Sequence, residues 1–354
     1  MIRKMEKLHA LLIIGFFALL TSTFTVATAV AATTPHTPIQ ITGDAAFTAA
    51  NGVTSGSGTV ADPYVIGNWD ISAATDQGIT VSGTTLYFII KNVAVHDGGT
   101  TFSGISFNSL PNGQVANSTV TSCKEGLSLN NVSDCTISAN TYSGNLEGIS
   151  IKTSNGVIVT GNVISSSTGD GLALNKSTNI VISQNNVTSN VKGISLLSSS
   201  DVIIFSKNNI TGNVEGILLQ SSSGIIISHN AISENTANGL SISNSTGNTI
   251  SSNDFKNNVH QVSSDPSVNK WDNGYPIGGN YWSNYAGADT MSGPFQNVTG
   301  GDGIIDTAFN IDANNRDNYP LVNLVVIPEF QQSLIILALM MAISFMILMH
   351  RRKR

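Results

Sequence analysis

Charge is what this sequence has least of. Asp, Glu, Lys and Arg make up 11% of its 354 residues, against about 25% in an ordinary soluble domain. The net charge is −6, and no Lys/Arg cluster occurs before the last five positions. That balance argues against a nucleic-acid partner. Helix-forming runs of Ala, Glu, Lys and Arg are scarce too, so a helical fold has little to build on. Cysteine is limited to Cys123 and Cys135, which allows one disulfide at most. Abundant instead are Ser, Thr, Asn and Gly, with Ile and Val in short runs between them. Such a chain reads as all-β.

Both ends differ from the middle. Arg3, Lys4 and Lys7 precede the apolar run Leu11 to Leu20, and small residues follow as far as Ala29-Val30-Ala31-Ala32. Residues 1–32 therefore read as a secretory signal peptide. Residues 333–349 form a 17-residue uncharged, predominantly apolar run; as a helix they rise about 26 Å, at the short limit for crossing a bilayer. Residues 350–354 are basic, the stop signal that stays inside. Pro328, Glu329 and Phe330 stand just before, in a linker of residues 323–332. The order Pro-Glu-Phe, apolar helix, basic tail resembles the archaeal PEF-CTERM sorting signal. The resemblance implies an archaeosortase-like processing enzyme, with the helix or a replacement lipid as the membrane anchor. Everything between the two ends then faces outside, at the cell surface.

Between the ends one phrase recurs. A Gly followed by alternating apolar residues stands at Gly104, Gly126, Gly148, Gly171, Gly193, Gly216 and Gly239, spaced by 22, 22, 23, 22, 23 and 23 residues. Asn140, Asn162, Asn185, Asn208, Asn230 and Asn253 keep the same period. Two markers locked to one period mean a solenoid. Each unit holds runs of three to five residues with turn residues between, too short for helices. The L-x-x-L-x-L frame of leucine-rich repeats is missing. The unit closes as one coil of a right-handed parallel β-helix. The first and third residues after each Gly point inward, and the Asn column stacks as a ladder whose members tolerate left-handed turns.

This repeat resembles the PbH1-type β-helix of the NosD-like, or CASH (carbohydrate-binding and sugar-hydrolase), superfamily. Ile41-Thr42-Gly43-Asp44 with Asp62-Pro63-Tyr64-Val65-Ile66, and Gly279-Asn280-Tyr281-Trp282-Ser283-Asn284-Tyr285 with Asp317-Asn318-Tyr319-Pro320, look like the two ends of archaeal surface members. The domains that follow are an N-terminal cap and opening coils (33–102), repeats (103–264) and an aromatic-rich cap (265–322). A solenoid end must be covered against edge pairing. The aromatics of the last segment serve that purpose, or they form a sugar-stacking platform, with Trp271, Tyr281, Trp282 and Tyr285 as candidates.

The resemblance implies copper or carbohydrate as partner. Copper wants converging soft or imidazole ligands, whereas His36, His96, His229, His260, Cys123, Cys135 and Met291 form no close sequence cluster. Carbohydrate cleavage needs paired carboxylates, and Glu147 and Asp170 precede the marker Gly on successive coils, about 5 Å apart once stacked. Their row continues as Lys192, Glu215 and Asn238, which equally describes a solvated edge. No cofactor is expected apart from a possible structural calcium on Asp302 and Asp306, in a segment with fewer carboxylates than a dense calcium loop. Glycosylation sequons stand at Asn117, Asn131, Asn175, Asn186, Asn209, Asn244 and Asn297. Four residues before successive landmark Asn lie Ile158, Val181, Ile204 and Ile226, an expected outward apolar stripe for a partner or a covering loop. The function read from all this is a surface-displayed binding or scaffold module for envelope or extracellular carbohydrate, or for a neighbouring surface-layer protein. An extracellular polysaccharide lyase or hydrolase, and a copper accessory protein, are the alternatives.

Overall fold

In each repeat the chain extends three times and bends three times. One turn runs through the strands Glu147–Lys152, Ile158–Thr160 and Val163–Ser165, and the next through Asp170–Asn175, Val181–Ser183 and Asn186–Thr188. We call the faces they build the long, middle and third face; their sheets hold 10, 10 and 11 strands. This computed structural model describes residues 33–325, Ser206 and Pro266 excepted. The signal peptide, Pro328-Glu329-Phe330, the apolar run 333–349 and the basic tail lie outside the described residues. Among the described residues no helix is long and apolar enough to cross a membrane.

Register follows from the repeat. Ile149 pairs with Leu172, Leu172 with Ile194, and Ile194 with Ile217, all fully buried. The inward rows of the three faces thus merge into one core along the axis. Each such side chain contributes roughly 1.5–3 kcal/mol on burial. The marker glycines have a different reason. A Cβ on Gly148 would collide with the carbonyl oxygen of Gly171, and one on Gly216 with that of Gly239. Side chains there would force adjacent coils apart.

Each corner of the repeats contains a left-handed residue followed by a ladder residue. Gly161, Gln184 and His229 take positive φ, and the residues after them are Asn162, Asn185 and Asn230. The expectation that the landmark Asn residues themselves are left-handed is therefore corrected by one position. Their amides do the stapling: the backbone N–H and Nδ2 of Asn140 both donate to Asn162 Oδ1 at 3.0 Å. A second Asn ladder runs through Asn190, Asn213, Asn235 and Asn258. A Ser ladder through Ser154, Ser177, Ser199, Ser222, Ser245 and Ser267 holds the remaining corner.

The last coil is closed by the aromatic-rich segment. Trp282 is sandwiched between Phe255 and Phe309, with both ring centroids at 4.6 Å. Asp317 ends the first Asn ladder, accepting from the backbone N–H of Asn280 at 2.7 Å and from Trp282 Nε1 at 2.9 Å.

Candidate functional site

The outward side chains of the long face form a cleft along the axis. Its floor is the residue between the two inward apolar ones: Ser128, Ser150, Ala173, Ser195 and Leu218 on paired strands. One wall is the row Glu125, Glu147, Asp170, Lys192 and Glu215, with paired members in register. The other is Asn130, Lys152, Asn175, Leu197 and Gln220. Small floor residues between longer walls leave a hollow of about 210 Å³, lined by Glu147, Ser150, Lys152, Asp170, Asn175 and Lys192 among others.

Polar groups in this hollow are unevenly partnered. Lys152 reaches Glu125 at 3.4 Å and Lys192 reaches Asp170 at 3.5 Å. Ser195 donates to Asp170 at 2.5 Å, and Ser103 to Glu125 at the same distance. Burial works to raise the Glu125 carboxyl, but Ser103 and the two nearby lysines outweigh it and hold the group below its ordinary value. In contrast, Glu147 Oε2, Ser150 Oγ and Asn175 Oδ1 are buried with no hydrogen-bond partner. Further along the same face Gln77 Oε1 and Thr80 Oγ1 share that condition. Five of the eight orphaned buried side-chain atoms among the described residues thus lie on this face. An unpaired buried polar atom costs about 1–3 kcal/mol, and this concentration sets the long face apart from the other two.

A larger recess, about 670 Å³, lies between the last coil and the cap, lined by Asn248, Lys270, Asp272, Arg316 and Asn318 among others. Several of its polar groups are already engaged. Asp272 accepts from Asn318, and Asn248 accepts from the backbone of Ile225.

The other sequence-derived candidates are dispersed. Trp271 and Trp282 are each 1% exposed, so the expected sugar platform does not form; their faces seal the solenoid. Tyr281 pairs in the third face beside Asp254, and Tyr285 packs on Phe309 with its hydroxyl on Thr307. Asp306 accepts from the backbone of Thr290 and Met291, and Asp302 from that of Gly293 and Ile304. Both carboxylates, put forward for calcium, thus staple turns.

Cys123 and Cys135 are free and buried. They stand at different corners of one coil, each thiol donating to the backbone carbonyl two residues earlier. The one disulfide the sequence allowed, Cys123 to Cys135, is not formed. Of the sequons, Asn175 is half-buried in the cleft wall, while Asn117, Asn131, Asn186, Asn209, Asn244 and Asn297 are exposed or half-buried outside it.

The apolar stripe needs one correction. Ile158 and Ile226 are exposed and Val181 is half-buried. Ile204, expected beside them, is fully buried. It pairs with the inward Ile182 and Ile227, leaving Ile203 outside. One more residue separates Ile204 from Asn208 than separates Ile182 from Asn185, so counting back from the Asn lands on the wrong face.

Comparison with known proteins places the chain. A family model described as periplasmic copper-binding protein (NosD) matches residues 39–287. The chain belongs to the NosD family. Among curated proteins nothing matches it. Of solved structures, the periplasmic alginate epimerase AlgG is similar at 14% identity and TM-score 0.52, covering 58% of this chain and 57% of that one. The A-module of the Azotobacter vinelandii mannuronan C-5 epimerase AlgE6 gives 14% identity, a TM-score of 0.41 and coverage of 58% and 73%. The enzymatically active domain of bacteriophage CBA120 tailspike protein 2 gives 12%, 0.48, and 65% and 38%. At such identities the likeness is one of fold.

The family description raises copper, and the residues of this NosD-family chain do not fit it. Among the described residues no group of three or more His, Cys, Asp or Glu side chains could hold a metal. His96 has both ring nitrogens on carboxylates, Asp70 at 3.0 Å and Asp97 at 2.7 Å. Burial pulls its pKa down, but those two contacts win and raise it.

The cleft floor was not singled out from the sequence. Its signal is the small residue inside most of the Gly-led strands, Ser128, Ser150, Ala173, Ser195 and Ser241, with Leu218 the exception.

Proposed function

We propose that this NosD-family chain is an extracellular, surface-displayed β-helix that binds a glycan lengthwise in the cleft of its long face. The observation that carries the reading is the set of buried, unpartnered Glu147, Ser150 and Asn175 atoms in one hollow. Hydroxyls of a sugar would complete them, and coils repeating about every 4.8 Å offer similar groups along an extended chain. The apolar ridge of Leu146, Val191 and Val214, exposed beside the charged wall, would meet the less polar sugar faces. Surface display rests on the N-terminal signal and on the Pro-Glu-Phe, apolar run and basic tail of the sequence.

Polysaccharide cleavage by Glu147 and Asp170 is the second reading. The two stand one coil apart, yet Asp170 is already held by Lys192 and Ser195, so binding without cleavage is favoured. Copper carriage has no converging ligand set behind it among the described residues.

The test is titration of the full chain with neutral, amino and uronate oligosaccharides. Ala173→Trp, which fills the cleft from a half-buried floor position, should weaken binding by at least about tenfold, or roughly 1.4 kcal/mol, with the melting curve unchanged. Binding that survives this substitution rules the cleft out.

A further inference from the structure

We infer that the cleft selects glycans rich in hydrogen-bond donors, free amino sugars above all, and rejects uronates. This rests on the glycan-binding reading and adds the class of sugar. The inference starts from what the orphaned atoms can do. Glu147 Oε2 and Asn175 Oδ1 in the hollow, and Gln77 Oε1 further along, are acceptors. The Ser150 hydroxyl, in a residue 1% exposed, can donate or accept. The unmet demand is therefore for donors.

Charge points the same way. The two ammonium groups lining the hollow are engaged, Lys152 with Glu125 and Lys192 with Asp170. Glu147 has no ion pair among the described residues, which leaves it the uncompensated charge of the site. A uronate carboxylate brings only acceptors and a negative charge. It would face Glu147 with both ammonium groups that line the hollow already paired, and like charges in a partly desolvated cleft repel. A hexosamine ammonium brings three donors and the complementary charge. A neutral sugar brings hydroxyl donors without the charge, and ranks between them.

The experiment titrates the full chain at pH 6 with a tetramer of glucosamine, with cellotetraose and with tetragalacturonate, alongside Glu147→Gln and Ala173→Trp. Glucosamine tetramer should bind at least about tenfold tighter than tetragalacturonate, as expected for one charge-assisted hydrogen bond, and added salt should weaken it. Glu147→Gln should remove most of that preference while leaving cellotetraose within about twofold. If tetragalacturonate binds as tightly or tighter and Ala173→Trp blocks it, the sugar class is wrong and the glycan reading stands. The sugar class is equally wrong if Glu147→Gln leaves the preference intact. If no tetramer binds, or Ala173→Trp changes nothing, the glycan reading falls and the sugar class falls with it.

Discussion

Asn185 ties its own coil to both neighbours. Its Oδ1 accepts from the N–H and Nδ2 of Asn162, and its Nδ2 donates to Val159, Ser183 and Asn208 at 2.9–3.1 Å. Asn185→Ala should cost about 2–4 kcal/mol, because buried donors and acceptors on both sides lose partners at once. Asn185→Asp should fare no better, since a carboxylate oxygen would then face the carbonyls of Val159 and Ser183. Chemical denaturation of both variants checks this. The neighbouring pair Ile203 and Ile204 separates inside from outside. Ile204→Asp buries a charge in the core and should abolish folding, whereas Ile203→Asp should shift stability by no more than about 0.5 kcal/mol. Circular dichroism melting of the two distinguishes them. The Asn period was legible because identical residues recur at fixed spacing. The side facing of Ile204 was not, because the additional residue before Asn208 leaves the Asn count unchanged while altering the path between.

At the scale of elements, the coils are interchangeable and the cap is not. Trp271, Trp282, Phe255 and Phe309 cover the exposed end of the apolar rows, and Asp317 finishes the ladder beneath them. Burial pushes the Asp317 carboxyl up to about 6, against the pull of the Asn280, Trp282 and Tyr319 donors. A carboxyl that binds its proton more tightly folded than unfolded stabilises the fold below the unfolded pKa of 3.8, and that contribution is lost as pH rises towards 6. Cap stability should therefore fall by about 2 kcal/mol between pH 4 and 6. Tryptophan fluorescence during denaturation at each pH should show the slope, and Asp317→Asn should flatten it. That this segment is a cap could be argued from its break in the repeat. That its tryptophans seal rather than stack on sugar depended on where Phe255 and Phe309 came to lie.

For the whole molecule, a solenoid with aligned faces presents a long surface and few enclosed sites. Among the described residues no three His, Cys, Asp or Glu side chains are gathered as a metal site, and where His96 meets carboxylates on its own and the preceding coil both ring nitrogens are already taken. The melting temperature should accordingly stay within about 1 °C after chelator treatment, and a copper titration should show no tight stoichiometric site. A calorimetric scan with and without EDTA, followed by the titration, checks both. The cleft has the opposite logic. Small residues repeated at one phase become a continuous floor, and the rows beside them become its walls.

By itself the sequence determined the repeat length, the inward rows, the close-packed glycines and the class of fold, because each is a property of one coil copied along the chain. Only the tertiary structure decided which residue of each corner is left-handed, that Cys123 and Cys135 stay apart, and that Glu147, Ser150 and Asn175 share one unfilled hollow. Those outcomes depend on how one coil sits on the next, and no single period records that stacking.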